Sequence, residues 1–352
     1  MYRIASLALL LTAAFPSLVF AQSATALTSN TAPADSKAGK TFARAAKEFE
    51  DRKYGLASAD FRKADQLDGG HCVSCQLQAY KSAKLMGDFT TAHDEATLLM
   101  NSVVTPEDKA EVHYLIGDVC LAEGGDRIFD KPFQDAESEF HAALELQPEK
   151  PNCVYGDGLA LAHLHQYEKA RERFKQYMKL SSPTDLQYAH AKLFAVQPEL
   201  ARKRVAPNFH VVAMDGSPIA MESLAGKVIL IDFWATWCAP CMKALPHLRE
   251  IAEEFKGQPL VVISVSVDND ESTWKNFVAK NNMTWLQYRD GGFDGPIATA
   301  FNVKAIPTTF TVDTDGFVQD RQVGDGDIET TLKRLVTQAS DAANHKTLAE
   351  IR

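Results

Sequence analysis

The chain has 352 residues, which at roughly 150 residues per domain predicts two folded units. Hydrophobic residues make up 45% and charged residues 24%, so a wholly disordered chain, a collagen and a multi-span membrane protein are excluded. The formal charge is −9, from 37 basic and 46 acidic side chains. No basic excess is left to neutralise phosphates, so nucleic acid is not an expected partner.

The N-terminus bears on the compartment. Arg3 precedes an apolar run from Ile4 to Phe20, and Val19 and Ala21 occupy the −3 and −1 positions of a cut after Ala21. Residues 1–21 are therefore expected to be a secretory signal, with the folded part exported to a periplasmic setting that permits disulfides. Left uncleaved, the same run would be a membrane anchor at the short limit of a span. Residues 22–37 are rich in Ser, Thr and Ala without apolar periodicity and read as a flexible leader.

From Ala38 the pattern is helical, with Ala followed four residues later by Phe at Ala57 and Phe61, Ala136 and Phe140, and Ala170 and Phe174. Ala136 and Ala170 stand 34 residues apart and Ala57 and Ala92 stand 35 apart, while Gly117 and Gly158 recur in first helices. These spacings resemble a tetratricopeptide array of about four repeats. Such a stack buries small residues between neighbouring helix pairs and leaves a concave face for a protein or peptide partner. Gly124, Gly125 and Pro132 predict an enlarged turn in the third repeat. Thr184 to Leu200 is expected to be one closing helix, and Ala201 to Arg204 a solvated basic hinge; the helical unit thus spans 38–204.

From Val205 strands alternate with helices. Lys227 to Trp234 is an unbroken apolar strand interrupted only by Asp232, and Leu260 to Val267 is a second buried strand. Helices are expected over Cys238–Phe255, Glu271–Lys280 and Ile328–Ser340, and a hairpin from Thr308–Val312 and Phe317–Gln322. The second domain then covers 205–340, with a tail at 341–352. A C-x-x-C pair, Cys238 and Cys241, falls at a strand-to-helix junction, the pattern of a thioredoxin-like redox site. A zinc site would need a second ligand pair, and none follows, so neither metal nor cofactor is expected. The fold class is two-domain, an all-α repeat array followed by an α/β thioredoxin fold.

The segment D-F-W-A-T-W-C-A-P-C from Asp232 to Cys241 resembles the active-site segment of that fold. Together with Ala206 to Phe209, Asp215 with Gly216, and Leu224 to Lys227, it resembles the TlpA/ResA/DsbE-like group of exported thiol-disulfide oxidoreductases. The resemblance implies that Cys238, at a helix N-terminus that stabilises a thiolate, attacks a client disulfide, and that Cys241 resolves the mixed disulfide. Pro240 fixes the geometry between them and Trp237 shields one side. Asp232 matches a buried acid that helps deprotonate the resolving cysteine. Pro307, after Ile306, matches the cis-proline that faces the cysteines and frees the preceding backbone for a client chain. Disulfide-bearing client proteins and an upstream thiol-disulfide donor are the implied partners. An acid near the site is also implied around Asp268, Asn269 and Asp270, without assignment to one residue.

Two other readings compete. A peroxiredoxin would need Pro at position 231 and Thr at position 235, where this chain has Ile231 and Ala235. A non-enzymatic scaffold would make the repeats the purpose and the redox domain a sensor. Cys72 and Cys75 open the second repeat; a structural disulfide, a metal site with His71 and an electron relay all fit, but Gln76 excludes haem attachment. Cys120 and Cys153, in neighbouring first helices, fit either a pair or small core residues.

Overall fold

A computed structural model describes residues 27, 32–125, 130–185, 187–324 and 326–350, the last eight of these as helical backbone only. The expected signal over residues 1–21 lies outside the described residues, as does most of the leader. Eight helices form four antiparallel pairs: α1 (Ser36–Glu50) with α2 (Tyr54–Leu67), α3 (Val73–Met86) with α4 (Phe89–Ser102), α5 (Pro106–Gly124) with α6 (Lys131–Leu146), and α7 (Pro151–His163) with α8 (Tyr167–Leu180). Side-chain caps start several of them: Asp35 accepts from Lys37 N and Ala38 N, and Thr105 accepts from Asp108 N just ahead of Pro106. The link between α5 and α6 runs from Gly125 to Asp130, longer than the three-residue link between α1 and α2, as the glycines and proline predict.

The Ala–Phe spacing is the packing device. Phe61, Phe140 and Phe174 are fully buried, each above alanines with no exposed surface. Phe140 fits because two first helices are notched beneath it. A Cβ on Gly156 would lie 2.5 Å from Phe140 Cζ, and one on Gly117 would lie 2.8 Å from Phe140 Cε1. Backbone and ring cannot both keep their places if a methyl is added, so Gly156→Ala is expected to cost about 1–3 kcal/mol by overpacking. A thermal melt measures it, and a second change, Phe140→Leu, should return part of the loss. Equal melting of Gly156→Ala and the parent would show that the notch is not tight.

The expected closing helix is broken. Helix α9 (Tyr188–Phe194) stops early, and a 3-10 turn follows over Pro198–Arg202. Pro198 is the cause: it lacks an N–H and pushes Gln197, at φ −127° and ψ 76°, out of the helical region.

The second domain opens with an antiparallel hairpin, β1 (His210–Val212) and β2 (Pro218–Ala220). It continues through β3 (Val228–Trp234), α10 (Ala239–Glu254), β4 (Leu260–Ser266), α11 (Glu271–Lys280), β5 (Leu286–Arg289), α12 (Pro296–Ala300), β6 (Thr308–Val312), β7 (Val318–Val323) and α13 (Glu329–Glu350). The five-stranded sheet runs β5-β4-β3-β6-β7; β3, β4 and β5 are parallel, while β6 lies antiparallel to β3 and to β7. All seven residues of β3 are buried, as befits the central strand. Ile229, Ile231 and Phe233 join Phe301 and Phe310 in one core. Val228 and Leu230 pack under Leu248 and Ile251 of α10 and Leu332 and Val336 of α13 in another. Helix α13 continues ten residues beyond the Ser340 end expected from periodicity. Among the described residues no helix is long and apolar enough to cross a membrane.

The basic run at 201–204 keeps Arg202 and Lys203 exposed as expected, but it does not lead into a free hinge. Val205 bridges to Phe317, Val318 N donates to Arg204 O at 2.9 Å and Ala206 N to Gly316 O at 2.9 Å, so the linker becomes a sheet edge. Lys203 and Arg204 lie over the Phe317 and Phe310 rings. Phe317, at the β6–β7 turn, is buried in the core of the helical array beside Phe194 and His190. A second junction lies far along the array: Arg52, in the α1–α2 turn, donates from Nη1 to Asp290 O at 3.1 Å, and α3 lies against α12.

Candidate active site

Strand β3 ends at Trp234, and four residues later Cys238 becomes the N-cap of α10. Its Sγ accepts from Cys241 N at 3.2 Å, one of the donors a helix start leaves unpaired. The two sulfurs are bonded to each other and the pair is buried. Pro240 occupies the first turn of α10, where a missing N–H costs nothing. Trp237, the residue before Cys238, is 62% exposed.

The peptide bond between Ile306 and Pro307 is cis. Because β6 pairs antiparallel to β3 with Thr308 opposite Phe233, Pro307 is brought to the same sheet end as Cys238. Asp232 has the parity of Val228 and Leu230 and therefore lies on the face that α10 covers. It is buried, opposite Ser264 and Thr309. Trp285 Nε1 donates to Ser264 Oγ at 2.8 Å, and Ser264 Oγ donates to Asp232 Oδ2 at 3.1 Å. Burial pushes the Asp232 carboxyl up to about 7, against the opposing pull of the Ser264 hydroxyl. An acid titrating there can hold or release a proton in the neutral range.

Asp268 is the polar residue whose place the sequence left unassigned. It is buried just past β4, and its carboxylate accepts from Thr236 N at 3.0 Å, Thr236 Oγ1 at 2.7 Å and Ser266 Oγ at 2.7 Å. Thr236 stands two residues before Cys238, so Asp268 ties down the loop that delivers the cysteine. Asp270 instead caps α11 through Thr273 N. The signal available in the sequence was weak: a threonine ahead of the first cysteine and an acid after the second strand, joined only once the strands pair.

The array holds the other C-x-x-C in the same local form. Cys72 is the N-cap of α3, its Sγ accepts from Cys75 N at 3.3 Å, and the sulfurs are bonded to each other. Cys72 N donates to buried Asp65 at 2.9 Å, and both cysteines are closed off. Bonded in this way, neither sulfur is a metal ligand. Cys120 and Cys153 do not pair; both are free and buried. Among the described residues, no three His, Cys, Asp or Glu side chains gather to hold a metal ion. Replacing Cys72 and Cys75 by Ser is expected to lower the melting midpoint by a few degrees, about 1–2 kcal/mol for so short a loop, and to leave disulfide-exchange rates intact. Lost turnover at an unchanged midpoint would instead assign them a relay role.

Fold and site together define a dithiol–disulfide enzyme of the thioredoxin fold. The AhpC/TSA family model matches residues 203–321. A thiol-disulfide oxidoreductase ResA of Bacillus cereus is 32% identical over 132 residues, 38% of this chain and 75% of that protein. ResA of Bacillus subtilis (strain 168) is 29% identical over 126 residues, 36% of this chain and 69% of that one. Among solved structures, a thiol:disulfide interchange protein of Chlorobium tepidum TLS is 26% identical, covers 39% of this chain and 96% of its own, and has a TM-score of 0.35. The chain belongs to the ResA family of thiol-disulfide oxidoreductases.

Proposed function

We propose that the protein is an exported reductase of disulfides in client proteins, with the helical array as its partner-binding part. The observation that carries this reading is the placement of Cys238 at the α10 N-terminus, at the sheet end where the cis-Pro307 loop lies. In the dithiol state the Cys238 thiolate attacks a client disulfide, forming a mixed disulfide and releasing one client thiolate. Cys241 then gives up its proton, with Asp232 as the acceptor within the α10 face, and attacks Cys238. The client leaves as a dithiol and the Cys238–Cys241 disulfide forms, so two electrons pass from enzyme to client. An upstream dithiol donor restores the pair. Pro307 presents the backbone ahead of it to an extended client chain. Export rests on the apolar run before Ala21.

Peroxide chemistry is disfavoured because Ile231 and Ala235, both fully buried and apolar, offer no polar group beside Cys238. The direction of electron flow is tested by equilibrating the full chain against glutathione, with Cys72 and Cys75 replaced by Ser. No His lies between Cys238 and Cys241 to stabilise the thiolate strongly. The expected potential is thus nearer roughly −270 mV than the roughly −120 mV of a strong oxidant. A value above about −150 mV would make the protein an oxidant on that scale. Insulin-disulfide reduction by the full chain tests the activity itself.

A further inference from the structure

Asp232 has polar neighbours on its face of the sheet. Strand register sets Ser264 of β4 on one side of it and Thr309 of β6 on the other, and Gln287 of β5 stands next to Ser264. Ser264 has no exposed surface. Its hydroxyl has two partners among the described residues: it receives the Trp285 Nε1–H at 2.8 Å and donates to Asp232 Oδ2 at 3.1 Å. Trp285 immediately precedes β5, and its ring packs against both cores of the redox domain. Buried Gln287 makes no side-chain hydrogen bond among the described residues, so it does not compete for the hydroxyl.

The order of donors follows from the groups themselves. An indole N–H only donates, a serine hydroxyl has one hydrogen to give, and an ionised carboxylate only accepts. With the indole on its oxygen, Ser264 turns its single hydrogen to Asp232. A proton arriving at Asp232 therefore settles on Oδ1, the oxygen that Ser264 does not hold. A hydrogen bond to the charged form favours that form, and a donor behind the hydroxyl strengthens it. Burial acts the other way and is the larger influence, leaving the carboxyl at about 7.

Other charges stay out of this balance. Strands β4 and β6 carry no ionisable side chain. On β5, Tyr288 has the opposite parity and Arg289 turns to the carbonyls of Asp268 and Asn269. The described charged side chains of α10, α11 and α13 are exposed or pair at the surface, as His247 does with Glu250 and Glu329. Cys238 and Cys241, at the start of the covering helix, ionise only as the dithiol.

We propose that Ser264 and Trp285 are positioning residues for the resolving step, an indole–hydroxyl relay that keeps Asp232 ready to accept the Cys241 proton on Oδ1. The proposal rests on the oxidoreductase reading, in which Asp232 takes that proton.

The test follows Asp232 both directly and through the reaction, in the full chain with the pair reduced. Ser264→Ala removes one oxygen; Trp285→Phe keeps an aromatic ring and removes the N–H. Loss of the hydroxyl should raise the proton affinity of Asp232 roughly tenfold, moving its titration from about 7 to about 8. Single-turnover release of insulin should then inflect about one pH unit higher than in the parent and run roughly fivefold slower at pH 7. The two rates should converge above about pH 9. Trp285→Phe should act in the same direction, by roughly threefold in proton affinity. NMR of labelled carboxyl carbons, with the Asp232 signal identified by its loss in Asp232→Asn, should show both shifts independently of rate. A merely structural role would loosen the packing, admit water and move the titration downwards. An unmoved or lowered titration in either variant would overturn the proposal. If the titrations move as expected while the parent rate shows no inflection, the hold of Ser264 and Trp285 on Asp232 stands and Asp232 is not the Cys241 acceptor. Failure of the parent to reduce insulin would overturn the oxidoreductase reading beneath both.

Discussion

Replacing Cys238 by Ser is expected to abolish disulfide reduction, whereas replacing Cys241 by Ser should stop it one step later, with client covalently attached. The asymmetry follows from the helix start. Cys238 is the N-cap, and its sulfur receives the Cys241 N–H and the positive end of α10, both of which favour a thiolate. Cys241 sits one turn inside and has no such advantage as an attacking group. In the proposed cycle its task is displacement, and without it the mixed disulfide should persist. Non-reducing gels of the Cys241→Ser protein incubated with insulin should show a discrete adduct that a thiol reductant dissolves. Adducts of similar yield on Cys241 in a Cys238→Ser background would reverse the assignment.

Asp232→Asn should have opposite effects on stability and on rate, and the pH dependence separates them. The folded protein holds the Asp232 proton until about pH 7, while an unfolded chain releases it near pH 4. The raised value means that stability is fully present below about pH 4 and is lost as pH climbs through 7. At pH 8 the loss amounts to roughly 4 kcal/mol at most. An amide cannot ionise, so the variant should lack this slope and outlast the parent in thermal melts at pH 8. At pH 5 the two should lie closer. Release of client by Cys241 should meanwhile fall about 10²-fold, the lower end of what a positioned proton acceptor contributes. Single-turnover rates between pH 5.5 and 8.5 should show an inflection near 7 in the parent and none in the variant. If the inflection survives the substitution, another group accepts the Cys241 proton.

Features that depend on neighbours in sequence were legible; those that depend on pairing across the fold were not. The apolar run of β3, the cysteine pair at a helix start and the Ala–Phe spacing all announce themselves within ten residues, because strand period and helix start are local properties. Asp232 was legible for the same reason, as a lone carboxyl in a run with no polar company. Asp268 was not, since its meaning lies in Thr236, 32 residues earlier, and emerges only when β3 and β4 pair in register. Phe317 looked like the first residue of a hairpin strand, and nothing local says that it closes the core of another domain. The break at Pro198 was legible in principle, but the apolar residues around it carried the helix reading across the proline.

A protein that trades disulfides carries sulfur of its own that could enter the trade, and here the six cysteines divide by bonding, acidity and place in the fold. Cys120 and Cys153 are buried in the array, where desolvation pushes their thiols up to about 12. At neutral pH roughly one in 10⁵ of either is a thiolate, too few to attack a passing mixed disulfide. Cys72 and Cys75 are already joined and sealed beneath the start of α3. That leaves one pair in circulation, beside an open tryptophan at the mouth of the sheet. Intramolecular scrambling is thereby disfavoured, and the active pair can be reloaded repeatedly without shuffling the chain's other bonds.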